Sequence, residues 1–218
     1  YIHIPFCKKA CHYCDFHFST SMKKKDEMIL ALAKEISLRK NEFQDEIVET
    51  IYFGGGTPSR LQITEIKLLL DTIFNNYKVT KNPEITLEAN PGTVEAGKFA
   101  GFSQAGVNRV SLGIQSFNDA HLKALGRIHG ADEARRAAQL AAEHFASFNL
   151  DLMYGLPGQT LAQALSDVEI ALSFKPPHLS CYQLTLEPNT RFAAFPPELP
   201  EGDTCADMQE AIEARLAD

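Results

Sequence analysis

The sequence predicts an α/β fold, a partial (β/α)6 TIM-like barrel with parallel strands. Three observations predict it. Short β-rich runs alternate with longer amphipathic runs six times along the 218 residues. With 44% of its residues hydrophobic, the chain can bury one sizeable core. Six units are fewer than the eight that close a TIM barrel, so the sheet is expected to be open and curved, with right-handed crossovers.

The strands are expected at residues 1–5, 48–53, 84–89, 108–114, 148–153 and 178–184. Helices are expected at 23–43, 62–76, 94–105, 131–145 and 161–174, the last closed off by Pro176 and Pro177, and one more at 203–216. The Pro-rich run over 195–200 reads as a loop. The division expected is a core domain over 1–190, then a Pro-rich linker and the start of a C-terminal region over 191–218. The first residue is Tyr1 rather than Met and already lies in a strand-like run, so the chain is expected to be a fragment.

Charge and composition exclude some classes. A formal net charge of −7 argues against a nucleic-acid surface, which needs a basic face. No apolar run is long enough to span a bilayer, and no basic segment followed by an apolar stretch opens the chain. Three of the five cysteines fall within eight residues, which suggests metal binding in a reducing compartment rather than a disulfide framework. A cytoplasmic protein is the expectation.

In parallel α/β folds the site lies at the C-terminal ends of the strands. Nearly every predicted strand here runs out into unusual sequence: the cysteine run 7–14, Gly54-Gly55-Gly56-Thr57-Pro58, Glu88-Ala89-Asn90-Pro91, Gln115-Ser116, the 154–159 segment after Asp151, and Tyr182-Gln183. These segments are expected to converge on one rim.

Cys7, Cys11 and Cys14 form a C-x3-C-x2-C triplet. Thiolates select iron–sulfur clusters, zinc or Cu(I). A complete cubane takes four cysteines, so three leave one iron open to a small ligand. The alternative is a structural zinc completed by His12, His17 or Asp15. Lys8 and Lys9 can offset thiolate and cluster charge or simply be solvated. Gly55, Gly56 and Thr57 allow a ligand close to the backbone, or make a tight turn. Glu88 can accept from hydroxyls or an ammonium group, or pair within the fold. Arg127 offers a fork suited to a carboxylate. Asp151 stands in an otherwise apolar strand and must be paired or functional.

Tyr-Ile-His-Ile-Pro-Phe-Cys-x3-Cys-x-Tyr-Cys at 1–14 resembles the opening of radical S-adenosylmethionine (SAM) proteins, specifically the oxygen-independent coproporphyrinogen III oxidase-like family. With the later motifs, the resemblance runs through essentially the whole chain. It implies a [4Fe–4S] cluster on Cys7, Cys11 and Cys14, with the fourth iron chelated by SAM. It implies SAM contacts at Tyr1, Tyr13, Gly55, Gly56, Thr57 and Glu88, and at Gln115, Arg127 and Asp151, the last three matching positions around a second SAM in porphyrinogen-oxidising members. It also implies an electron donor for the cluster and a fold able to cleave SAM reductively.

The oxidising branch carries a further cysteine two residues after the third, where this chain has Phe16. The segment Ser180-Cys181-Tyr182-Gln183-Leu184-Thr185-Leu186-Glu187-Pro188 also resembles the other branch, the HemW-like heme chaperones. The expectation is heme handling for transfer to an acceptor protein, with coproporphyrinogen oxidase activity not expected and no residue assigned as catalytic. A porphyrinogen-decarboxylating enzyme is the alternative. His3, His12, His17, His121, His129, His144 and His178 are all conceivable heme ligands.

Overall fold

A computed structural model describes residues 1–94 and 96–217; positions 95 and 218, which fall in the predicted helix over 94–105 and the predicted C-terminal segment, lie outside it. The six predicted strands form one parallel sheet whose spatial order is the sequence order, and the sheet is not closed. The strands are β1 (Ile2–Ile4), β2 (Ile47–Gly55), β3 (Lys78–Ala89), β4 (Arg109–Gln115), β5 (Ser147–Tyr154) and β6 (His178–Gln183). The helices are α1 (Lys25–Leu38), α2 (Ile63–Asn76), α3 (Ala96–Gln104), α4 (Asp119–Ala124), α5 (Ala131–His144), α6 (Leu161–Ser173), α7 (Arg191–Ala194) and α8 (Gly202–Ala217).

The period of two along each strand separates the two faces of the sheet. In β4, Val110, Leu112 and Ile114 are fully buried and join the core beneath the helices. The alternate positions Ser111 and Gly113 line a cavity on the other face. Register carries the polar rows from strand to strand: Glu88 pairs Ser111, which pairs Asn149, and Gly113 pairs Asp151, which pairs Ser180.

Local chemistry starts the helices where the chain must turn back. Thr160 and Gln163 cap α6 reciprocally: the Thr160 N–H donates to Gln163 Oε1 at 2.9 Å and the Gln163 N–H to Thr160 Oγ1 at 3.3 Å. Glu65 accepts the Gln62 N–H at 2.7 Å ahead of α2, and Asp119 accepts the Ala131 N–H at 2.7 Å at the start of α5.

Some boundaries differ from the expectation. The helix expected over 23–43 is α1 followed by a tighter 3-10 stretch at Arg39–Phe43. Strand β3 begins six residues early, at Lys78, because pairing with β2 recruits a polar run. Helices α4 and α7 were not expected. Helix α8 packs on α6 and β5, with Met208 and Ile212 in the same core as the sheet, so residues 202–217 lie against the barrel.

Candidate functional site

A cavity of about 530 Å³ opens at the C-terminal ends of the strands. It is lined by Cys7, Cys11, Tyr13, Cys14, Gly55, Gly56, Thr57, Glu88, Gln115, Arg127 and Asp151. Of the residues the sequence assigns to the cluster and SAM, all except Tyr1 are therefore on one wall or another of a single space, and none of the seven histidines is in its lining. Tyr1 lies outside the lining and is 76% exposed; its ring stacks on Tyr52 with centroids 6.0 Å apart, and its hydroxyl meets His3 Nδ1 at 3.1 Å.

The cysteine loop is tied down at both ends. The Cys7 N–H donates to the Ser19 carbonyl at 2.9 Å, and the Ser19 N–H returns to Pro5 at 2.6 Å, closing the base. The His12 N–H donates to Leu125 and its carbonyl accepts from Phe192, both at 2.9 Å, pinning the middle to α4 and α7. His12 Nδ1 meets the Ala124 carbonyl at 2.9 Å. Arg60 grips the Cys7 carbonyl. A Cβ on Gly56 would sit 3.0 Å from Cys7 Sγ and 2.9 Å from the Pro5 backbone, so only glycine lets β2 approach the loop this closely.

All five cysteines are free thiols. Burial pushes the Cys7 thiol up and the Cys14 thiol up to about 11, with the neighbouring cysteines adding to both. Among the described residues, no three His, Cys, Asp or Glu side chains gather around one point as a single metal ion requires. A cubane presents separate iron corners to its thiolates, and three thiols spread over one cavity wall suit that group.

Next to the loop, Gly55 adopts φ +111°, a conformation that L side chains rarely adopt. Glu88 secures it: Oε2 accepts the Gly55 N–H at 3.0 Å and Oε1 accepts the Tyr52 hydroxyl at 2.9 Å. Burial raises the Glu88 carboxyl above its ordinary range, and these two donors partly offset that.

Arg127 crosses the cavity floor. One Nη holds the Gly113 carbonyl, and Nη1 points at Cys11 Sγ and the Tyr13 hydroxyl, each at 3.5 Å. Its Nε is buried without a partner. Burial opposes the guanidinium charge, yet Tyr13 and Cys11 beside it push its pKa above the ordinary value. Asp151 accepts from Asn149 Nδ2 at 2.6 Å and from Ser111 Oγ at 3.3 Å. Burial raises its carboxyl too.

Gln115 has φ +70°, unusual for a side-chain-bearing residue, and accepts the Tyr182 hydroxyl at 2.6 Å. The turn that follows is held from α6: Asp167 accepts the Ser116 hydroxyl at 2.6 Å and the Phe117 N–H at 2.7 Å. Tyr182 lies on the rim as its place at the end of the sixth strand predicts, whereas Tyr52, Asn149 and Asp167 were not selected from the sequence.

The histidines divide by their bonds. His129 is buried between the Ile114 carbonyl and Asn90, at 3.1 and 3.2 Å, and burial lowers its pKa to about 4. His3 is engaged by Tyr1 and the His17 carbonyl, and His178 by Asn149 at 2.5 Å.

The sequence profile of the Radical SAM superfamily matches residues 1–170. The chain belongs to the radical SAM superfamily. It is 49% identical over 214 residues to the heme chaperone HemW of Escherichia coli (strain K12), covering 96% of this chain and 56% of that protein. It is 37% identical to the heme chaperone HemW of Bacillus subtilis (strain 168), covering 99% of this chain and 59% of that one. The chain thus spans somewhat more than half the length of these curated relatives. Among solved structures, the radical SAM enzyme coproporphyrinogen III oxidase (HemN) of Escherichia coli superposes with a TM-score of 0.89 at 29% identity, covering 99% of this chain and 51% of that one. Among the described residues, no helix is long and apolar enough to cross a membrane.

Proposed function

We propose that this chain is the radical SAM portion of a cytoplasmic heme-handling protein that passes heme to an acceptor. Cys7, Cys11 and Cys14 would hold a [4Fe–4S] cluster. Gly55, Gly56, Thr57 and Glu88 would seat SAM beside it, with Tyr13, Gln115, Arg127 and Asp151 on the facing walls and Tyr1 at the edge. When bound, the cluster supplies a single electron received from an external donor. The protein's own residues bind and orient. Glu88 fixes the Gly55 backbone, and Arg127 places a buried cation beside Cys11 and Tyr13.

One observation carries this reading: three free thiols, a positive-φ glycine turn and its carboxylate clasp share one cavity in a chain 49% identical to a heme chaperone. Anaerobic reconstitution followed by EPR tests the first half. A [4Fe–4S]⁺ signal that changes on adding SAM supports it, and absence of any cluster overturns it. Heme titration and transfer to an apo-acceptor, with the longer protein, test the second half.

The close superposition on coproporphyrinogen III oxidase favours a second reading, radical decarboxylation of a porphyrinogen. Incubating reduced protein, SAM and coproporphyrinogen III separates the two. Appearance of protoporphyrinogen IX would replace the chaperone reading with the oxidase one.

A further inference from the structure

Each of the three cysteine sulfurs receives a hydrogen-bond donor from a different element. Thr57 Oγ1 donates to Cys7 Sγ at 3.6 Å, from the turn after β2. Arg127 Nη1 lies 3.5 Å from Cys11 Sγ, from the segment after α4. The Phe16 N–H donates to Cys14, from within the loop. Only the Arg127 donor carries a full charge. Its side chain is held in place by the Gly113 carbonyl and Tyr13.

Donors and cations at thiolate sulfur stabilise the more negative, reduced form of an iron–sulfur cluster and raise its reduction potential. Burial strengthens the effect, because a buried charge is little screened by water or salt. We infer that Arg127, seconded by Thr57, sets the reduction potential of the cluster held by Cys7, Cys11 and Cys14, keeping it within reach of a biological one-electron donor. This goes beyond ligand contact and rests on the cluster reading above. The couple is one electron into an oxidised cluster to give the reduced cluster, with no bond made or broken in the protein. Arg127 is a positioning and tuning residue here; it touches a ligand sulfur and takes no electron.

The test is an EPR-monitored redox titration of reconstituted protein without SAM, so that SAM contacts play no part. Wild type, Arg127→Met, Arg127→Lys and Thr57→Val are compared at equal iron and sulfide content. Arg127→Met is expected to lose at least tenfold in the ratio of reduced to oxidised cluster at a fixed potential, about 59 mV for one electron. Arg127→Lys should recover part of that loss, and Thr57→Val should show a smaller shift of the same sign. The Arg127→Met shift should persist at high salt. Midpoints equal to wild type in Arg127→Met overturn the inference. If Arg127→Met holds no cluster, Arg127→Gln takes its place, and a midpoint equal to wild type in Arg127→Gln overturns the inference instead. A wild type that binds no cluster at all overturns the cluster reading, and this inference with it.

Discussion

The Glu88 carboxylate accepts the backbone N–H of Gly55 at 3.0 Å, so the end of β3 holds the turn at the end of β2 in its positive-φ shape. Replacing Glu88 by Gln leaves one oxygen for two donors and removes the charge. A hydrogen bond to a charged group contributes about 1.5–3 kcal/mol. Glu88→Gln should therefore weaken SAM binding by about 10- to 100-fold while iron content stays at the wild-type level. Equilibrium dialysis of labelled SAM against cluster-loaded protein checks this; an unchanged Kd refutes the assigned role.

Asp167 reaches from α6 to the turn after Gln115 with two short hydrogen bonds. Asp167→Ala leaves the Ser116 hydroxyl and the Phe117 N–H buried and unpaired, at about 1–3 kcal/mol each. Chemical denaturation should show a loss of about 2–5 kcal/mol. Asp167→Asn keeps one acceptor and should lose less. Wild-type stability in the alanine variant would show that the turn holds itself.

Asp151 gives a pH prediction with an unusual sign. Burial, only partly offset by Asn149, Ser111 and Ser180, raises its pKa from the ordinary 3.8. The folded chain then holds this proton more tightly than the unfolded one. Its contribution to stability is greatest below the unfolded pKa and is lost as pH rises through the folded value. Asp151→Asn removes that loss. Thermal melts of cofactor-free protein should show a flatter pH dependence and a higher Tm at neutral pH for the variant. A lower neutral-pH Tm in Asp151→Asn would count against this account.

Cys11→Ala should abolish cluster binding, because two thiolates cannot hold three corners of a cubane. Cys205→Ala should not, since Cys205 is buried against Pro200 and lies outside the cavity lining. Iron and sulfide analysis after anaerobic reconstitution distinguishes the two. A full complement of iron in Cys11→Ala would exclude Cys11 as a ligand.

The strands and most of the rim were legible because buried parallel strands are apolar and end abruptly in polar residues. Gly55, Glu88, Gln115 and Asp151 all announced themselves as breaks in such runs. The first half of β3, Lys-Val-Thr-Lys-Asn-Pro, did not, because its pairing with β2 comes from register rather than from burial. Tyr52 was hidden for another reason: an aromatic in a strand is what β-propensity alone would place there. Asp167 was missed but could have been found. It shares a helical stripe with Ala164, Val168 and Ala171, and a carboxylate on a buried stripe needs a partner. Tyr1 is the opposite case, a motif residue whose side chain the fold places beside Tyr52 rather than in the cavity wall.

Because each strand pairs only with its neighbour in the chain, the sheet can be laid down in the order in which a ribosome delivers it. The rim cannot. The cysteine loop emerges first, yet its middle is fastened by Phe192, and Gln115 waits for Tyr182. The thiols are thus made early and housed late, since synthesis must pass Phe192 before the loop that carries them is fastened.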